Sequence, residues 1–257
     1  MVSQHPKISV FENSYALTND LIHQWITIAN HSIEDRGRFI VALSGGTTPI
    51  EFYSKLAGVQ EFDLWPKTHI FLIDERFVPA SHKDSNFRII KENLLDFIAI
   101  PKNNIHPIHT ELENVAVAAQ EYKNTLLHFF NLKGQGFPRF DFMLLGIGED
   151  GHTASLFPRE NYTADSLRLT LPVTANYLDH DRVTLSLPVI NNARHIFFFV
   201  RGKSKASIIK QLLEDKEDLP ANGVLPTDGE LAYLLDRDAA SHLTKREFLA
   251  QNLPVNS

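Results

Sequence analysis

Short apolar runs that end in Gly, Ser or Asp alternate along this chain with longer stretches in which apolar residues recur at helical spacing. The runs Phe39–Leu43 (FIVAL), His69–Ile73 (HIFLI), Phe140–Leu145 (FDFMLL), Val183–Leu187 (VTLSL) and His195–Val200 (HIFFFV) are the strand candidates. Helical spacing covers Ser14–Asn30, Pro49–Ala57, Asn86–Phe97, Glu113–Phe130 and Lys205–Leu213. Runs of Ile, Val, Leu and Phe without alternation belong to strands buried on both faces, which predicts an α/β fold: a mostly parallel sheet covered by helices on both faces. No repeat, low-complexity tract or long Gly/Ser linker interrupts the alternation, and the polar segments 159–165 and Asp179–Asp181 read as loops. A single domain over residues 1–257 is expected, with a small subdomain around those loops as the alternative.

Open parallel sheets bind ligands beyond the carboxyl ends of their strands, where loops gather and helix N-termini point their amides. The segments that follow the strands are therefore the informative ones. FIVAL is followed by SGGTTP, HIFLI by DER, FDFMLL by GIGEDGHTASLFP, and HIFFFV by RGKSKA. All four are expected on one rim.

Composition narrows the chemistry these segments can do. Of 257 residues, 25 are Lys or Arg and 31 Asp or Glu, a net charge of −6 with no basic arm, so nucleic acid and anionic membrane surfaces are not expected partners. Cysteine is absent, which excludes disulfides, thiolate catalysis and cysteine-ligated zinc. The N-terminal segment lacks a basic then apolar leader pattern, and no apolar run approaches the ~20 residues that span a bilayer. A cytoplasmic enzyme or binding protein is the expectation.

In Ser44-Gly45-Gly46-Thr47-Thr48-Pro49, two glycines permit close backbone approach and Pro49 suits the first helical position. Thr48 with Glu51 fits a capping box. Strand, Gly-Gly turn and helix start together make an anion nest. The same residues also describe an ordinary capped turn. Lys203 and Lys205 open a helix, where a cation opposes the helix dipole at a cost of ~0.3–1 kcal/mol unless an anion is bound there. In Asp74-Glu75-Arg76, Arg76 can offer its planar fork to a phosphate or carboxylate, whereas Glu75 reads as part of a structural ion-pair cluster. Ser85 reads as a helix N-cap, and Ser85 and Asn86 receive no chemistry.

GIGEDG (Gly146–Gly151) matches the spacing of a dinucleotide fingerprint, but Pro158 cuts short the helix that a fingerprint needs, so NAD is not expected. More telling is Asp150-Gly151-His152. A histidine set on the rim by a Gly turn can act as a general base, and a carboxylate two residues earlier can orient its ring. The plainer alternative is a histidine that merely falls beside a glycine. His106 and His109 flank Pro107 without a third ligand nearby in sequence, which gives no support for a metal site, and no G-x-S-x-G elbow is present.

In order and spacing, LSGGTTP (Leu43–Pro49), DERFVPASHKDSNFR (Asp74–Arg88), GIGEDGHTASLFP (Gly146–Pro158), RVTLSLPVINNAR (Arg182–Arg194), GKSKA (Gly202–Ala206) and a closing LPANGVLP with LLDRDAA resemble the motifs of the 6-phosphogluconolactonases. Thr47 stands where that family usually has serine, and Tyr233 where it often has tryptophan. The resemblance implies a modified Rossmann-like fold shared with glucosamine-6-phosphate deaminases and ribose-5-phosphate isomerases. It further implies hydrolysis of 6-phosphoglucono-δ-lactone to 6-phosphogluconate, with no metal or other cofactor required. Carried onto this chain, His152 is the base that activates water and Asp150 orients or tunes it. Ser44, Gly45, Gly46 and Thr47, with Arg76, Arg182 and Lys205, hold the phosphate and the developing oxyanion. The HTASLFP that follows Gly151, together with DER, points to the lactonase branch rather than the deaminases. The expected partner is a sugar-phosphate lactone alone, bound by a monomer or weak homo-oligomer. A sugar-phosphate isomerase or deaminase of the same fold, and a non-catalytic sugar-phosphate sensor, are the alternatives.

Overall fold

Seven strands lie side by side and parallel in the computed structural model, which describes residues 6–60, 62–133, 136–158 and 167–244. In chain order the strands and helices are β1 (Lys7–Phe11), α1 (Ser14–Arg36), β2 (Phe39–Leu43), α2 (Ile50–Ala57), β3 (Thr68–Leu72), β4 (Asp74–Arg76), α3 (Asn86–Asn93), β5 (Ile105–His106), α4 (Val115–Phe129), β6 (Phe142–Leu145), β7 (Thr170–Val173), β8 (Arg182–Leu185), α5 (Leu187–Asn191), β9 (His195–Val200), α6 (Ala206–Lys210) and β10 (Glu230–Asp236). The large sheet runs β1-β10-β9-β6-β2-β3-β5, and β4, β8 and β7 form a separate antiparallel sheet. The expected α/β class and mostly parallel sheet are what the chain adopts. The expected loop 159–165 lies outside the described residues.

Helix α1 shows why the elements form where they do. Asn13 caps its start by accepting from the Ala16 N–H at 3.0 Å, and Gly37, at φ 74°, ends it in the left-handed region that glycine reaches without strain. Leu17, Leu21, Trp25, Ile28 and Ala29 make its buried stripe, and Trp25 meets Phe39 and Phe142 edge-on at 5.0 and 5.1 Å. Strand β2 is buried at every position, as a central parallel strand requires. At the amino edge of the sheet the buried Asp141 carboxylate accepts the Ile40 N–H at 2.9 Å and pairs with Arg36 and Arg194 at 3.1 and 3.2 Å.

Three expected elements differ. The run Val183–Leu187 is a strand only as Arg182–Leu185, and it pairs antiparallel in the small sheet, because Pro188 at the start of α5 ends it. The helix expected over Asn86–Phe97 stops at Asn93 and continues as a 3₁₀ turn, Leu95–Phe97. The helix expected over Lys205–Leu213 is three pieces: a 3₁₀ turn at Lys203–Lys205, α6, and a π turn at Gln211–Asp215.

From β2 the chain moves outward to β3 and β5, then returns to β6 on the other side of β2 and proceeds to β9 and β10. The direction of strand order thus reverses between β2 and β6, the place where ligands bind in sheets of this kind. The loops that follow β2, β6 and β9 are neighbours at that point.

Candidate active site

The turn after β2 leaves donors unused. Gly46 sits at φ 85°, which favours glycine, and a side chain on Gly45 would run into Asn86. With the chain folded this way, the backbone N–H groups of Gly45, Gly46 and Thr47 donate to nothing among the described residues. The buried Tyr53 hydroxyl donates to the Ser44 carbonyl and fixes the turn from below. The expected capping box does not form. Glu51 instead accepts from Ser14 Oγ at 2.8 Å and pairs with Arg201 at 2.6 Å and Lys55 at 3.1 Å, because a guanidinium within reach outcompetes a backbone amide. Arg201 Nη2 also reaches the Thr47 carbonyl at 3.5 Å, which ties the turn to the end of β9.

After β6, the Gly148 N–H donates to the His152 carbonyl at 2.8 Å and the Gly151 N–H to the Gly148 carbonyl at 3.1 Å, closing the loop on itself. One oxygen of Asp150 accepts both the His152 N–H at 3.1 Å and ring Nδ1 at 2.5 Å. Partial burial opposes ionisation of Asp150, yet the charge and hydrogen bonds of His152 hold its carboxyl below the usual value. A proton on Nδ1 in this bond leaves Nε2 as the acceptor. Phe157 packs beside the imidazole at 4.7 Å, and the side chain of His152 stays one-third exposed, open to water. A Cβ at Gly148 would overlap the His152 ring and press on Asp150 Oδ1, so a side chain there would displace the His152–Asp150 pair.

Cations without a carboxylate partner among the described residues gather at this end of the site. Arg76 ends β4, opposite Arg182 across the antiparallel pair. Burial, then the neighbouring Arg76 charge, lowers the pKa of Arg182, as expected of two guanidiniums held close. Arg76 Nη1 donates to the Asp84 carbonyl at 2.7 Å and Arg182 Nη1 to the His180 carbonyl at 2.5 Å. Among the described residues no carboxylate lies in ion-pair range of Arg76, Arg182 or Lys205, in contrast to the doubly paired Asp141. Such a cluster has the charge and donors to accept an anion.

A cavity of about 260 Å³ joins these parts and is lined by Ser44, Gly45, Gly46, Thr47, Arg76, His152 and Lys205. Asp150 stands behind His152. Arg182 does not line the cavity; the β4–β8 register sets it beside Arg76 on the adjacent strand. Lys203 is exposed and outside it. His106 does not coordinate with His109: it stacks on Phe71 at 4.0 Å, whereas His109 meets Glu111 at 2.8 Å.

The sequence profile described as glucosamine-6-phosphate isomerases/6-phosphogluconolactonase matches residues 12–233. The chain belongs to this family. It is 38% identical over 241 residues to the 6-phosphogluconolactonase of Synechocystis sp., covering 93% of this chain and 98% of that one. The solved 6-phosphogluconolactonase of Thermotoga maritima superposes with a TM-score of 0.78 at 30% identity, covering 90% of this chain and all of the other. That of Trypanosoma brucei gives 0.82 at 28%, covering 94% and 100%.

The cleft of this family member holds two residues that sequence reasoning passed over. Asn86, buried, donates from Nδ2 to the Asp74 carbonyl at 2.9 Å, and its Oδ1 is an unpartnered buried acceptor against Gly45. Asp74 also lines the cavity and accepts from Ser155 Oγ at 2.7 Å. No local signal in the sequence marks Asn86, because its role lies in contacts with Asp74 and Gly45, which are distant along the chain. Among the described residues Glu75 forms no ion pair, contrary to the expected cluster. Buried, it accepts from the N–H groups of Arg76, Asn86 and Phe87 at 2.7, 2.7 and 2.8 Å and from Ser85 Oγ at 3.0 Å, fastening the start of α3 to β4.

Proposed function

We propose that this chain hydrolyses 6-phosphoglucono-δ-lactone to 6-phosphogluconate, with His152 as general base. The observation that carries this reading is one cleft that combines an Asp150-oriented imidazole with the unused amides of residues 45–47 and the unpaired Arg76 and Lys205. Its relatives named 6-phosphogluconolactonase support the same choice.

The phosphate sits on the Gly-Gly turn and Lys205, and the lactone ring extends toward His152. Nε2 takes a proton from water as its oxygen bonds to the carbonyl carbon, forming a tetrahedral oxyanion that the cationic wall stabilises. As the oxyanion collapses, the ring C–O bond breaks and the imidazolium returns its proton to the departing ring oxygen. Asp150 keeps the ring in one tautomer and stabilises the transient cation without taking the proton. The small-molecule substrate is the expected partner, and the expected setting is a monomer or weak homo-oligomer in the cytoplasm.

Freshly generated lactone, assayed by pH-stat with the spontaneous rate subtracted, tests this directly. Hydrolysis well above background, with no ammonia released from glucosamine 6-phosphate, is the expected result; the reverse pair of results overturns it.

A further inference from the structure

Outside the cleft lining, on the two loops whose carbonyls hold Arg76 and Arg182, we propose that His82, Asp84 and His180 bind one divalent transition-metal ion of the zinc class. The site does not depend on the lactonase reading. His82 and Asp84 come from the loop between β4 and α3, and His180 from the turn between β7 and β8. Asp84 Oδ2 lies 3.1 Å from His180 Nε2 and 3.6 Å from His82 Nδ1, and one ligand atom from each residue falls within 4.8 Å of the others. Ligands at ~2.0–2.1 Å around a tetrahedral zinc stand about 3.3 Å apart, so two of the three edges are already near that length. Two imidazoles and a carboxylate are also the donor set this class of ion selects over magnesium or calcium, and they leave a fourth position for water.

The backbone presets the arrangement. The His82 N–H donates to the Pro79 carbonyl at 2.7 Å and the Ser85 N–H to the His82 carbonyl at 3.0 Å, so successive turns place His82 and Asp84 on one side of the loop. Each ring now makes a hydrogen bond that an ion would replace: His180 Nε2 with Asp84 Oδ2, and His82 Nδ1 with the Asp84 N–H at 3.2 Å. Lys83, Arg76 and Arg182 oppose a cation nearby, which sets the affinity below that of a buried structural zinc. The carbonyls of Asp84 and His180 are the groups that accept from Arg76 and Arg182. An ion joining the two loops therefore also fixes the backbone on which both guanidiniums rest.

The test is a titration of the untagged full chain with Zn²⁺ against a chromophoric chelator. We expect one equivalent to bind, His82→Ala and His180→Ala each to weaken it by about tenfold or more, and His152→Ala and His109→Ala to bind as the parent does. Equal binding by all four variants, no binding by the parent, or loss only in His152→Ala overturns the assignment. Should a variant fail to fold, imidazole nitrogen NMR of the parent chain answers the same question. Zn²⁺ must then shift the His82 and His180 resonances and leave those of the other histidines in place; shifts elsewhere alone refute the site.

Discussion

Gly148 lies against the His152 imidazole, so close that a methyl group in place of its hydrogen would fall 2.1 Å from Nδ1. The glycine therefore defines where the base stands. Gly148→Ala should move the ring by about an ångström while the sheet below is untouched. We expect kcat to fall about 10²-fold with little change in thermal midpoint. An alanine variant with parental kcat would mean that the ring position is not critical.

Gly45 and Asn86 stand in the same relation at the other end of the cleft. Gly45→Ala should displace the Asn86 side chain and the free amides beside it, so that KM for the lactone rises more than kcat falls. Steady-state kinetics separate the two, and an unchanged KM contradicts the assignment of this turn to the phosphate.

Arg76→Ala and Lys205→Ala each remove a charged donor from the cavity wall. A hydrogen bond to a charged group contributes about 1.5–3 kcal/mol, which predicts roughly 10–100-fold weaker binding of 6-phosphogluconate by calorimetry. Arg182→Ala, which stands beside Arg76 but outside the cavity lining, should weaken it less. Equal losses for all three would place Arg182 in the wall.

Stability should depend on pH through His106. Burial, then the adjacent His69, lowers it from 6.5 to about 4, so the unfolded chain takes up a proton that the folded chain refuses. Its contribution is full above 6.5 and is lost as pH falls through about 4. Glu75 works in the opposite sense: raised from 4.5 to about 7 by burial, it contributes fully below 4.5 and loses that contribution as pH rises through about 7. His106→Phe should therefore lose less thermal stability than the parent between pH 7 and pH 5. Parallel midpoints across that range would contradict this.

What the sequence could reveal followed from burial. FIVAL and HIFFFV are buried at nearly every position, so composition alone marked them as central strands. β1 escaped notice because it is an edge strand with an exposed Lys7 and half-buried Val10 and Phe11. β10 is an interior strand buried at every position after Glu230, and burial does not account for its omission. The rim logic brought Gly45, Gly46, His152, Arg76 and Lys205 to one place because parallel strands all deliver their loops to one edge. It could not place Arg182 beside Arg76, since that depends on an antiparallel register between segments about a hundred residues apart. Nor could it find Asn86, whose value lies in a contact with Gly45 rather than in any local motif.

The most direct test joins two measurements on His152→Ala: kcat with freshly made lactone, and the dissociation constant for 6-phosphogluconate. Loss of a general base predicts kcat lower by about 10²–10⁴-fold with the dissociation constant within a few-fold of the parent. Parental turnover in that variant would remove His152 from the chemistry and, with it, the mechanism proposed for this cleft.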